Sequence, residues 1–119
     1  MVRVHSQVAR RKKRKAVLKR AKGFWGARGR LYKTAKETLL RAEAYAFRDR
    51  RRRKRDFKKL WIQRINAASR ALGMSYSQFV HGLNQAEIEL NRKMLAAMAV
   101  EDPDGFAQLV EKAKKAVGT

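Results

Sequence analysis

No cysteine occurs in the chain, which excludes disulfides and thiolate metal sites and is compatible with a reducing compartment. Proline is used once, at Pro103, and between Arg30 and Leu72 there is neither proline nor glycine, so nothing in that span breaks a helix. No apolar run approaches the roughly 18–20 residues of a membrane span, and the N-terminus lacks the apolar core of a secretory signal. The start is basic and acid-poor, as in a mitochondrial transit peptide, but serine is scarce and the basic character continues to Lys59. A soluble, intracellular protein is expected. Sustained period-two alternation is missing, which predicts no sheet. The two histidines, His5 and His81, have no ligand-spaced partner. Glu87/Glu89 and Asp102/Asp104 read as linker charge and helix-start acids rather than an acid/base pair. No catalysis, metal, cofactor or small-molecule substrate is expected.

Acid is also scarce, and unevenly so. Residues 1–59 hold 24 Lys and Arg against 4 Asp and Glu, a net of +20. Residues 60–119 hold 7 against 6, a net of +1, and the halves sum to the formal +21 of the chain. So large a field of one sign points to a polyanionic partner, nucleic acid first and an anionic membrane surface second.

The composition predicts an all-α fold: a long basic helical N-terminal extension, residues 1–59, followed by a small C-terminal helical bundle, residues 60–119. In the extension a helix is expected over Val8–Lys22. It ends in "GFWGARGR", whose glycines at three-residue spacing make 23–30 a bend before a second, long helix. Along that helix Leu31, Ala35, Leu39, Ala42 and Ala46 form a thin apolar stripe. Phe57, Leu60, Trp61, Ile65, Ala68 and Leu72 form a bulkier one.

The bundle is punctuated by local signals. Gly73 suits the C′ position, Ser75 with Gln78 makes a capping box, and Met74 can staple against Phe79. Asn91 caps a helix carrying Met94, Leu95 and Met98. Asp102 with Pro103 starts a last one carrying Phe106, Leu109, Val110 and Val117. The 84–90 linker has no clear assignment. Trp61, Phe79 and Phe106 are the expected core anchors.

Between the two stripes, Arg50, Arg51, Arg52, Arg53, Lys54 and Arg55 are consecutive. At about 100° per residue they sweep more than a full turn, leaving the helix positive on every face. A DNA major-groove helix presents one face, and a membrane-surface helix needs a wide apolar one. Charge on all sides suits phosphates on all sides, as inside a folded RNA. Arg48/Arg52, Arg50/Lys54 and Arg51/Arg55 are like-charge i,i+4 pairs costing roughly 0.2–0.5 kcal/mol each. Much of 1–55 is therefore expected to order only when a polyanion is bound.

Candidate phosphate contacts are Arg10, Arg11, Lys12, Lys13, Arg14, Lys15, Lys19, Arg20, Lys22, Arg28, Arg30, Lys33, Arg48, the 50–55 block, Lys58 and Lys59. Gly23, Phe24, Trp25, Gly26 and Tyr32 are candidates for close backbone approach or base stacking. Tyr45 and Phe47 either stack on bases or pack on the protein.

"AKGFWGARGRLY" (Ala21–Tyr32), "YAFRDRRRRKRDFKKLWIQRINAA" (Tyr45–Ala68), "MSYSQFVHGL" (Met74–Leu83) and "ELNRKMLAAMAVEDPDGFAQLV" (Glu89–Val110) together resemble the L-twenty family of bacterial large-subunit ribosomal proteins. The resemblance implies a structural constituent of the large subunit, cytoplasmic within the ribosome, that binds large-subunit rRNA directly and promotes early assembly beside neighbouring ribosomal proteins. It also implies RNA contacts on the bundle through Arg64, Asn66, Arg70, Ser75, Tyr76, Ser77, Arg92 and Lys93. Two rivals are a nucleoid-type DNA-binding protein, for which a one-sided basic face would be the cue, and a membrane-active cationic protein, for which the apolar face over 8–59 is too thin.

Overall fold

A computed structural model describes residues 5–118, so the first four residues of the expected extension lie outside the described residues. Among the described residues six helices follow in order: α1 (Ser6–Arg20), α2 (Ala27–Arg30), α3 (Tyr32–Ala71), α4 (Tyr76–Gln85), α5 (Arg92–Glu101) and α6 (Pro103–Val117). Among the described residues no strand occurs. The chain divides into two compact units, one ending at Arg51 and one beginning at Arg52.

The first unit is held by very little apolar surface. Ala21, at the end of α1, and Ala35 and Leu39, one turn apart on α3, are its buried residues, closed over by Val17, Leu18 and Phe24. Small side chains at this contact let the backbones come close. Gly29 extends the same logic, because a Cβ there would stand 2.8 Å from the Phe24 carbonyl oxygen.

The expected bend over 23–30 contains a helical turn of its own. Gly23 and Gly26 take positive φ (+91° and +57°), a region where a side chain is strained. The Arg28, Gly29 and Leu31 N–H groups then donate to Trp25, Gly26 and Ala27 and wind α2. Leu31 is extended (φ −93°, ψ 128°), so α3 starts at Tyr32.

That extended residue corrects the first apolar stripe. Ala35 and Leu39 are buried and Ala42 half-buried, but Leu31 lies outside the helical phase and is exposed, as is Ala46.

In the second unit the core is Ile65 from α3, Met74, Phe79 and Leu83 on and before α4, Leu95 and Ala96 from α5, and Phe106, Leu109, Val110 and Ala113 from α6. The Phe79 and Phe106 rings lie 5.2 Å apart between centroids, tilted by 46°. Each buried ring contributes about 1.5–3 kcal/mol.

Two expectations about α3 need correction. Trp61 is half-buried on the rim rather than at the centre, and of its stripe only Ile65 is fully buried, with Phe57, Leu60 and Leu72 exposed. Within this unit the α4–α6 layer covers α3 only from about Trp61 onward. Ser69, fully buried, donates to the Asn66 carbonyl at 3.2 Å, which satisfies its hydroxyl within its own helix.

The boundaries follow local chemistry. At the end of α3 the Gly73 N–H donates to Arg70 and the Met74 N–H to Ser69, with Gly73 at φ +84°: a Schellman turn. Ser75 and Gln78 form the capping box at α4, and Met74 and Phe79 both enter the core. Asn91 caps α5 through the Met94 N–H (2.8 Å), and Asp102 caps α6 through the Gly105 N–H (3.0 Å).

In the 84–90 linker, Glu87 adopts φ +57° while its N–H donates to Asn84 and the Ile88 N–H donates to Leu83. This is the same turn as at Gly73, made without glycine. At the α4–α6 crossing a Cβ on Gly82 would stand 2.6 Å from the Ala113 carbonyl oxygen.

These two positions predict stability changes of opposite sign. Glu87→Gly relieves the left-handed strain and should raise unfolding free energy by about 0.5–1 kcal/mol. Gly82→Ala should lower it by roughly 1–3 kcal/mol through overpacking. Urea melts of the full chain followed at 222 nm would show both.

Candidate nucleic-acid interface

The cations of the first unit are arranged by the helices that carry them. Arg10, Arg11, Lys12, Lys13, Arg14, Lys15, Lys19 and Arg20 are all exposed on α1. Arg10, Arg11, Arg14 and Lys15 line one shallow depression with Gln7, Val8 and Leu18. The Arg14 guanidinium lies 5.5 Å from the Tyr32 ring centroid, fixing part of this face against α3. Arg20 ion-pairs with Glu43.

Lys22, Arg28, Arg30 and Lys33 are exposed in and beside the 23–30 segment. There the two adjacent aromatics separate. Phe24 packs on the Ala21–Ala35–Leu39 cluster, while Trp25 is 91% exposed.

Along α3, Arg48 donates through Nε to Asp49 (3.1 Å) and sits 4.8 Å above the Tyr45 ring. Arg51 donates to the Phe47 carbonyl (3.2 Å) and lies 3.7 Å from the Phe47 ring. The other five members of the block, Arg50, Arg52, Arg53, Lys54 and Arg55, have no hydrogen bond, ion pair or ring contact among the described residues. Every residue from 51 to 60 is exposed, so Lys58 and Lys59 extend the same bare surface.

On the second unit three expected contacts converge. Lys58, Arg92 and Lys93 line a shallow pocket with Trp61 and Asn91, and the Arg92 Nε donates to the Tyr76 hydroxyl at 2.8 Å. The remaining candidates are spread. Arg64 and Ser77 are exposed and outside this group, Arg70 donates to the Asn66 side chain at 3.0 Å, and Ser75 is committed to the α4 cap.

A second cleft was not foreseen from the sequence. Arg28 faces Thr34, Glu37, Thr38, Arg41 and Tyr45 across the start of α3. Positions 34, 37, 38, 41 and 45 recur at helical spacing and could have been found that way, but the alanine and leucine stripe beside them is the stronger periodic signal.

Among the described residues no helix is long and apolar enough to cross a membrane, and no group of three or more acidic, His or Cys side chains is placed to hold a metal. An all-α chain whose surface offers rows of unpartnered cations belongs to the polyanion-binding proteins. The family described as ribosomal protein L20 matches residues 3–109. The large ribosomal subunit protein bL20 of Lactococcus lactis subsp. cremoris is 59% identical over 117 residues, 98% of each chain. That of Staphylococcus carnosus is 56% identical over 117 residues, covering 98% of this chain and 99% of its own. The chain therefore belongs to the ribosomal protein L20 family, a family of non-catalytic proteins.

The unequal exposure of the two tryptophans gives a direct check on this surface. In a Trp61→Phe protein the remaining Trp25 should emit near the wavelength of indole in water and be quenched freely by acrylamide. In a Trp25→Phe protein the half-buried Trp61 should emit further to the blue and quench less. Equal quenching in the two variants would contradict the exposed bend aromatic.

Proposed function

We propose that this chain is a structural constituent of the large ribosomal subunit that binds large-subunit rRNA directly, promotes early assembly and resides in the cytoplasm within the ribosome. Residues 1–59 act as a basic extension that enters the RNA, bent at the glycine-rich 23–30 segment. Residues 60–119 act as a small globular base beside neighbouring ribosomal proteins. The names of its relatives, large ribosomal subunit proteins, support the setting.

The observation that carries the mechanism is the set of five exposed cations at 50 and 52–55 without a partner among the described residues. Phosphates are the partners those side chains lack. Neutralising them releases counterions and lets RNA helices approach one another. Bidentate Arg contacts favour particular backbone geometries. Arg10–Lys15, Lys19, Lys22, Arg30, Lys33, Lys58 and Lys59 contribute in the same way. Trp25 offers a bare ring for base stacking, worth about 1–3 kcal/mol. On the base, Arg92, Lys93 and Tyr76 beside Trp61 form the more compact contact.

Filter binding of the full chain to large-subunit rRNA, over a salt series and against excess duplex DNA, tests the reading. With Arg50, Arg52, Arg53, Lys54 and Arg55 all changed to Gln, the slope of log K against log salt should fall by about 0.7–0.9 for each phosphate that the variant leaves unneutralised. If DNA competes on equal terms, a nucleoid-type polycation replaces the ribosomal reading. Free chain should also gain helicity at 222 nm when rRNA is added, because phosphates relieve the like-charge repulsion along 48–59.

A further inference from the structure

We propose that the cleft between α2 and the start of α3 holds a single unpaired guanine nucleotide, its base edge read by Glu37, its ring face stacked on Tyr45 and its phosphates held by Arg28 and Arg41. This rests on the RNA-binding reading above and adds a base-specific site to it.

A carboxylate is the feature that needs explaining. Residues 1–59 contain only four acids, Glu37, Glu43, Asp49 and Asp56. Glu43 pairs with Arg20 and Asp49 with Arg48. Glu37 stands four residues from both Lys33 and Arg41, yet it ion-pairs with neither among the described residues. It lines the cleft beside Arg28 and Arg41 without an ion-pair partner among the described residues. On a surface that meets phosphates such a group is repelled, unless it receives hydrogen bonds from a base.

An ionised carboxylate only accepts. Guanine is the base whose Watson–Crick edge presents two adjacent donors, N1–H and N2–H, matching its two oxygens. Adenine and cytosine place an acceptor nitrogen beside their donor, and uracil flanks its single N–H with two carbonyls. The chemistry therefore selects guanine, and selects it unpaired, because a paired guanine has that edge occupied.

The walls suit a nucleotide. The Tyr45 ring has the Arg48 guanidinium 4.8 Å from its centroid, and Arg48 is itself tied to Asp49. One face of the ring is thereby covered and its orientation restrained, while the residue remains 52% exposed at the cleft. The Thr38 hydroxyl donates to the Thr34 carbonyl at 2.8 Å, leaving its oxygen to accept from a ribose hydroxyl. Arg28 on α2 and Arg41 on α3 supply the cations for the phosphates on either side.

Kethoxal modifies the N1 and N2 positions of unpaired guanine and so reports the edge in question. The full chain is bound to large-subunit rRNA and probed with kethoxal, with hydroxyl radicals reporting the backbone. Wild type should protect a guanine that Glu37→Gln leaves reactive, with affinity down on the order of tenfold, as when a bidentate pair with a base is removed, and salt slope unchanged. Asp56→Asn removes the other unpaired acid, outside the cleft, and should leave every protection in place. Tyr45→Leu should expose the same guanine. Identical kethoxal patterns for wild type and Glu37→Gln would overturn the guanine site while backbone protection kept the RNA reading intact. Absence of backbone protection as well would remove both.

Discussion

The constraint on which the rest depends is the mutual repulsion of cations that have no partner among the described residues. Five of the six block residues reach no acceptor among the described residues, and three like-charge pairs stand one turn apart on α3. Each such pair costs roughly 0.2–0.5 kcal/mol. The two acids nearest the block relieve little: Asp49 is already taken by Arg48, and Asp56 forms no ion pair among the described residues. The first unit, which carries 18 Lys and Arg of its own, has only Ala21, Ala35 and Leu39 buried among its described residues. Such a small buried cluster sets little apolar stabilisation against that repulsion.

The second unit is organised by the opposite logic. Beyond Lys59 its net charge is only +1, its core contains two phenylalanine rings in contact, α4, α5 and α6 begin at side-chain caps, and α3 and α4 end in Schellman turns. Such a body is specified by packing and capping, which do not require a ligand. Beyond Lys59 its basic residues are fewer and more fixed. Arg92 is held by the Tyr76 hydroxyl and Arg70 by Asn66, whereas five of the six block residues have no such tie among the described residues. Fixed cations suit recognition of one shape, and adaptable ones suit neutralisation.

What the sequence made legible was chiefly local. The caps at Ser75, Asn91 and Asp102 and the C′ glycine at 73 are written in adjacent residues, because each joins a side chain or a positive φ to backbone within one turn. The charge sweep over 50–55 was equally legible, since it needs only the helical period. Three features were not. Leu31 breaks the helical phase through an extended backbone that no residue type announces. Glu87 takes a left-handed φ where glycine would be looked for. The cleft around Glu37 needs α2 opposite α3, and the glycine-rich bend gave no sign of containing a helical turn.

The same charge gives salt two opposed effects on this chain. For free protein, ions screen the i,i+4 repulsion along α3 over a Debye length of about 8 Å at physiological strength, and so favour the helix. For the bound state the same ions compete with Arg and Lys for phosphates and disfavour association. A surface salt-bridge network would show only weakening with salt, because its charges are already neutralised in the free molecule. Here neutralisation has been left for a partner to complete. In the proposed reading, helix order over 48–59 and RNA affinity are therefore linked through the same side chains, while residues 60–119 are largely exempt.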